Sequence, residues 1–110
     1  FLKVAGTRQK WVAPGLILQI RRRPEGDRED VPEGAIRLGF TVSKKVGNPV
    51  QRNRARRRLR AAAGEVFAQH AALGCDFVVI GRAATLKRSY DSLIKDMQAS
   101  LKGLKAWREA

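Results

Sequence analysis

At 110 residues the chain is long enough to bury one hydrophobic core without metal or disulfide staples, and it reads as one domain over residues 1–110. Its 23 Lys and Arg against 10 Asp and Glu leave a formal charge of +13, a self-repulsion easily tolerated only beside a polyanion. The longest apolar runs, such as 77–80, are far too short to span a bilayer, nothing resembles a signal peptide, and one cysteine excludes an internal disulfide, so a cytoplasmic protein without a membrane partner is expected.

The chain opens on Phe1 rather than Met, which predicts residues ahead of it. Phe1 and Val4, three apart, suit the end of a short helix stopped near Gly6. Trp11 to Arg21 reads as one strand, with Leu16, Leu18 and Ile20 on one face, Ile17, Gln19 and Arg21 on the other, and Pro14-Gly15 marking an edge or bulge at its start. Residues 22–34 hold two Pro, two Gly and five acidic residues, the composition of an exposed hairpin loop. A second strand alternates strictly: Ile36, Leu38, Phe40 and Val42 face the core, while Arg37, Gly39, Thr41 and Ser43 face outward.

Asn48 then serves as an N-cap and Pro49 as the first helical residue, where its missing N–H costs nothing. Leu59, Ala62, Ala63, Val66 and Phe67 follow at helical spacing as the buried stripe. Gly74 leads into Phe77 to Ile80, apolar on both faces and expected as a central, covered strand. Ser89 caps a last helix lined by Leu93, Ile94, Met97, Leu101 and Leu104. The predicted architecture is α+β, a small mixed sheet with helices packed on it in the order α-β-β-α-β-α. Cys75 opens a strand pattern and is expected as a core or strand-edge residue. The lone His70 has no partner at metal-ligand spacing.

Residues 40–60 carry eight Lys or Arg and no Asp or Glu. On the helix, Arg52, Arg56 and Arg60 lie four apart in a row, with Arg54, Arg57 and Arg58 covering other sides. Like charges at that spacing are mildly destabilising in an isolated helix, and bound phosphate reverses the sign. Arginine's planar fork grips phosphate bidentately or stacks on an unpaired base, and Asn53 among these residues can hydrogen-bond phosphate, ribose or a base edge. Lys44 and Lys45 precede the helix N-terminus, whose free N–H groups add to an anion site.

A merely solvated charged face would mix signs, and this one does not. A membrane-surface helix would need a larger apolar side than the mostly Ala stripe here. A DNA reader should show a second helix packed closely before a recognition helix, which the predicted order lacks. Composition alone leaves a structural ribosomal or general RNA-binding protein open. No Ser-His-Asp or Cys-His set, paired carboxylates or clustered metal ligands appear, so no catalytic or metal-binding residue is expected on the chain.

The run Lys44-Lys45-Val46-Gly47-Asn48-Pro49-Val50, then Arg52-Asn53-Arg54, Arg56-Arg57 and Arg60, resembles the signature of the bacterial ribonuclease P protein subunit. The resemblance covers essentially the whole chain, including the opening Phe-x-x-Val, the element order and the short apolar strand before the last helix. It implies a left-handed strand-helix-strand crossover, against the usual hand. It also implies that a large RNA subunit, with bound Mg²⁺, cleaves the 5′ leader from precursor tRNA while the protein helps to hold RNA and substrate. By position, Lys45, Arg52, Asn53, Arg54, Arg56, Arg57 and Arg60 fall on the surface that contacts the catalytic RNA. Phe1, Gln19, Phe40, Ser43 and Lys44 fall on segments bordering a cleft for the single-stranded leader. Stacking plus a basic groove suits single strands. At Gln19 the chain departs from relatives that carry an aromatic residue in the first strand. The implied partners are the ribonuclease P RNA and the precursor leader, with no obligate protein partner.

Overall fold

The computed structural model describes residues 8–22 and 35–109. Six elements follow in order: β1 (Arg8–Val12), β2 (Leu16–Arg22), β3 (Arg37–Thr41), α1 (Pro49–His70), β4 (Cys75–Gly81) and α2 (Tyr90–Gly103). Short 3₁₀ turns at Lys44–Val46 and Ala83–Leu86 lead into the two helices. The opening helix expected near Phe1 and residues 23–34 of the expected loop lie outside the described residues.

Where one strand was expected from Trp11 to Arg21, there are two. The N–H of Ala13 donates to the carbonyl of Leu16 at 2.9 Å, so Pro14-Gly15 is the tip of a two-residue hairpin joining β1 and β2. The sheet order is β1-β2-β4-β3. The expected hairpin across residues 22–34 is therefore not formed, because β4 lies between β2 and β3. It runs antiparallel to β2 and parallel to β3. Parallel strands cannot be joined by a tight turn, and α1 makes the crossover.

The core lies on one sheet face. Leu16, Leu18, Ile20, Phe77 and Val79 point into it and meet Leu59, Val66 and Phe67 of α1 and Leu93, Met97 and Leu101 of α2. The rings of Phe67 and Phe77 meet edge to face, 5.0 Å apart. The expected α1 stripe is buried in full, with Ala55 added at its start. The strand at 77–80 is central, as expected, but covered on one face only. Val78 and Ile80 are half-buried, because both helices pack on the opposite side.

Two glycines are required by close approach. A Cβ on Gly103 would stand 2.4 Å from the ring of Trp11, which lies flat against the end of α2. A Cβ on Gly15 would stand 2.6 Å from Oδ2 of Asp96. Beyond α1, Arg108 donates to the carbonyls of Ala68 and Ala71, and the His70 ring stacks on Trp107 at 4.0 Å. Arg108 thus satisfies carbonyls that the helix end leaves open. Cys75 is buried at the start of β4.

Candidate nucleic-acid interface

The basic surface is set by the start of α1. Asn48 Oδ1 accepts from the Gln51 N–H and Gln51 Oε1 accepts from the Asn48 N–H, both at 2.8 Å. This reciprocal cap uses an amide where a carboxylate would also serve, and no acidic residue stands in the first turn. The positive end of the helix dipole is left uncancelled. Immediately before it, Ser43 caps the 3₁₀ turn by accepting from the Lys45 N–H, and Ser43, Lys44 and Lys45 are all exposed.

Along α1, Arg54, Arg57 and Arg60 are exposed and Arg52 and Arg56 half-buried. Among the described residues no carboxylate pairs with any of the five. Burying Ala55 and Leu59 against the sheet turns this arginine side outward. Arg56 Nη1 donates to Asn53 Oδ1 at 2.9 Å, and the Arg60 guanidinium lies 5.5 Å from the centre of the Phe40 ring. Arg52 Nε is shielded from solvent and has no hydrogen-bond partner.

Arg58 is different. Its Nε donates to the Thr85 carbonyl at 3.1 Å and its Nη2 to the Arg88 carbonyl, so it ties α1 to the segment before α2. Sequence position does not separate Arg58 from its neighbours. The separation comes from its side of the helix, which faces the loop after β4.

The second feature is a groove of about 500 Å³ on the end of the sheet. Cross-strand register aligns Gln19, Val78 and Gly39 in one row and Arg21, Asp76 and Arg37 in the next, all on the face away from the helices. Asp76 lies 3.4 Å from Arg21 and 3.9 Å from Arg37. Alternation already assigned Arg21 and Arg37 outward phases. Their alignment across Asp76 needed the register, so sequence reasoning missed this charged row.

The residues expected around a leader cleft are not all brought together. Gln19 is half-buried in the groove, and Ser43 and Lys44 stand just past the far end of β3. Phe40 pairs in register with the buried Val79 and faces α1, so it lies on the opposite face of the sheet from Gln19. A single groove on one face cannot use both side chains. Phe1 lies outside the described residues. Trp11 covers Gly103.

Among the described residues, no group of three or more His, Cys, Asp or Glu could hold a metal ion. The Mg²⁺ implied by the resemblance therefore has no fitting ligand set on the described part of this chain. No described helix is long and apolar enough to cross a membrane.

Comparison with known proteins agrees with this arrangement. Residues 1–105 match the family described as Ribonuclease P. The chain is 56% identical over 102 residues to the ribonuclease P protein component of Paramagnetospirillum magneticum, covering 93% of this chain and 74% of that one. It is 45% identical over 107 residues to that of Ruegeria pomeroyi, covering 96% and 81%. The fold is that of the RNase P protein of Staphylococcus aureus, with a TM-score of 0.71 at 23% identity over 98% of this chain and 91% of that one. That of Thermotoga maritima aligns with a TM-score of 0.66 at 18% identity, over 90% and 86%. With a family match across nearly its whole length and close relatives of one name, the chain belongs to the ribonuclease P protein component family.

Proposed function

We propose that the chain holds the ribonuclease P RNA along the exposed face of α1 and the single-stranded 5′ leader of precursor tRNA along the open face of the sheet, promoting removal of the leader. The observation that carries this reading is the arginine face of α1, which has no carboxylate partner among the described residues. Charge left uncompensated by the fold is available to phosphate, and counterion release makes each contact favourable. Lys44 and Lys45, exposed in the turn between β3 and α1, add two cations next to the helix N-terminus. In the groove, Val78 and the backbone at Gly39 offer an apolar floor, Gln19 an amide, and Arg37 a cation at one end.

Hydrolysis belongs to the RNA subunit in this reading. The Mg²⁺ bound there supplies an activated water and stabilises developing charge, while this chain binds and orients. The protein works in the cytoplasm, where precursor tRNA is made. The test is multiple-turnover cleavage of a precursor tRNA by a bacterial ribonuclease P RNA at low Mg²⁺, with and without the protein. Strong stimulation with cleavage at the mature 5′ end is expected. Tight, salt-sensitive RNA binding without stimulation would reduce the chain to a general RNA-binding module.

A further inference from the structure

Val50 is 75% exposed, the most exposed large apolar side chain among the described residues, and it stands in the middle of the basic surface. With Asn53 and Arg57 it forms one stripe at helical spacing, and Arg56 and Arg60 flank that stripe around a shallow depression. An apolar side chain placed there contributes nothing to the core. A uniform run of duplex phosphates offers it no apolar partner either. A base face or a ribose does.

Asn53 adds the polar part. Its Oδ1 already accepts from the Arg56 guanidinium at 2.9 Å, which leaves the –NH₂ group as the part of the amide still able to bind. With a guanidinium on its carbonyl and two more arginines beside it, the local field favours an acceptor edge and disfavours an amino group. Guanine O6 and N7, a uracil carbonyl, adenine N7 and cytosine O2 all meet that demand, so the site asks for an unstacked base rather than for one base identity.

We infer that the depression on α1 is a pocket for one unstacked base of the bound RNA. In it, Val50 contacts the base face, the Asn53 –NH₂ donates to the base edge, and Arg57 and Arg60 take the flanking phosphates. Arg56 acts as a positioning residue for Asn53. The inference rests on the reading of α1 as the RNA interface and adds a base-contacting site to a charge-driven surface.

The experiment measures equilibrium binding of the full chain to a bacterial ribonuclease P RNA across a range of salt. The variants are Val50→Ala, Asn53→Ala, Arg56→Ala and Arg57→Ala, all at exposed or half-exposed helix positions where the fold is unaffected. Val50→Ala is expected to weaken binding about fivefold to tenfold with an unchanged salt slope, since it removes apolar contact and no charge. Arg57→Ala should weaken binding and reduce the slope by about one. In a double-mutant cycle, Asn53→Ala should cost much less in an Arg56→Ala background than alone. Hydroxyl-radical cleavage from an iron chelate on Val50→Cys should centre on an unpaired nucleotide. Replacing that nucleotide by an abasic one should weaken wild-type binding and move the Val50→Ala variant less.

Unchanged affinity in Val50→Ala, additive effects at Asn53 and Arg56, or cleavage centred in continuous duplex would overturn the pocket while Arg57→Ala still upholds α1 as the interface. No effect of Arg57→Ala would remove the interface and the pocket together.

Discussion

The N–H of Gly15 donates to Oδ2 of Asp96 at 3.0 Å, joining the tip of the β1–β2 hairpin to the middle of α2 across 81 positions of sequence. Asp96 also receives Arg88 through two nitrogens, at 2.8 and 3.1 Å, and its side chain is only 7% exposed. Around the same turn the buried Thr85 hydroxyl donates to the Gly15 carbonyl and Arg82 donates to the Ala13 carbonyl. A hairpin tip that the sequence marks only by Pro-Gly is thus pinned by three side chains from the other end of the chain.

Removing the centre of that network should be costly. Asp96→Ala leaves the Gly15 N–H and the Arg88 guanidinium without their acceptor, and a loss on the order of 3 kcal/mol is expected. Asp96→Asn keeps one acceptor and should lose less. The shift in urea midpoint at unchanged slope measures both, and equal, small shifts would mean that the network contributes little.

Arg57 and Arg58 are neighbours with opposite expected phenotypes. Arg58→Ala deprives the Thr85 and Arg88 carbonyls of their donor and should cost about 1–3 kcal/mol of stability while leaving the salt slope of RNA binding unchanged. Arg57→Ala should do the reverse. Thermal unfolding and RNA titrations on the two variants check the contrast; a lost slope in Arg58→Ala would place that side chain in the interface.

Tyr90 donates from its hydroxyl to Glu65 Oε2, across the contact between the two helices. The hydrogen bond to Glu65, then burial, then the charge of Glu65 raise the phenol above its ordinary value of 10.0. Because the folded-state value is the higher one, this contribution to stability is fully present below pH 10.0 and is lost as pH rises through the raised value. Tyr90 is the only tyrosine, so tyrosinate absorbance reports it alone. Glu65→Gln should move the titration back toward its ordinary value. No movement would show that Glu65 is not the cause.

Lys44 is exposed in the turn that joins β3 to α1. With the protein complexed to its RNA, Lys44→Ala should weaken affinity for precursor tRNA more than for mature tRNA. Equal loss for both substrates would move Lys44 off the leader path.

Much of this was legible in the residues themselves. The Asn48 cap, Pro49 at the first helical position, the Leu59 to Phe67 stripe and the Ser89 cap are local signals, since capping and amphipathic spacing act within a turn or two of helix. The alternation of β2 likewise identified its buried and outward residues, because the pleat has a period of two. The run from Lys44 to Arg60 was enough to mark the basic surface and the family.

What escaped was non-local. The period of β3 put Phe40 in phase with core residues and Arg37 outward, but only the pairing with β4 shows that Phe40 and Gln19 lie on opposite faces and that Arg37 meets Asp76. The insertion of β4 between β2 and β3 cannot be read from strand patterns, because hydrophobic alternation states which face is buried and not which strand lies beside it. Arg58 looks like any other arginine of its run, and its inward role depends on carbonyls 27 and 30 residues away. Sequence by itself determined both described helices, the buried phase of the strands, the charge and the family, since these rest on short-range chemistry. Tertiary structure alone decided which arginines of α1 are tied to the protein's own groups and which side chains share the groove, since both depend on contacts that the chain makes only after it has folded back on itself.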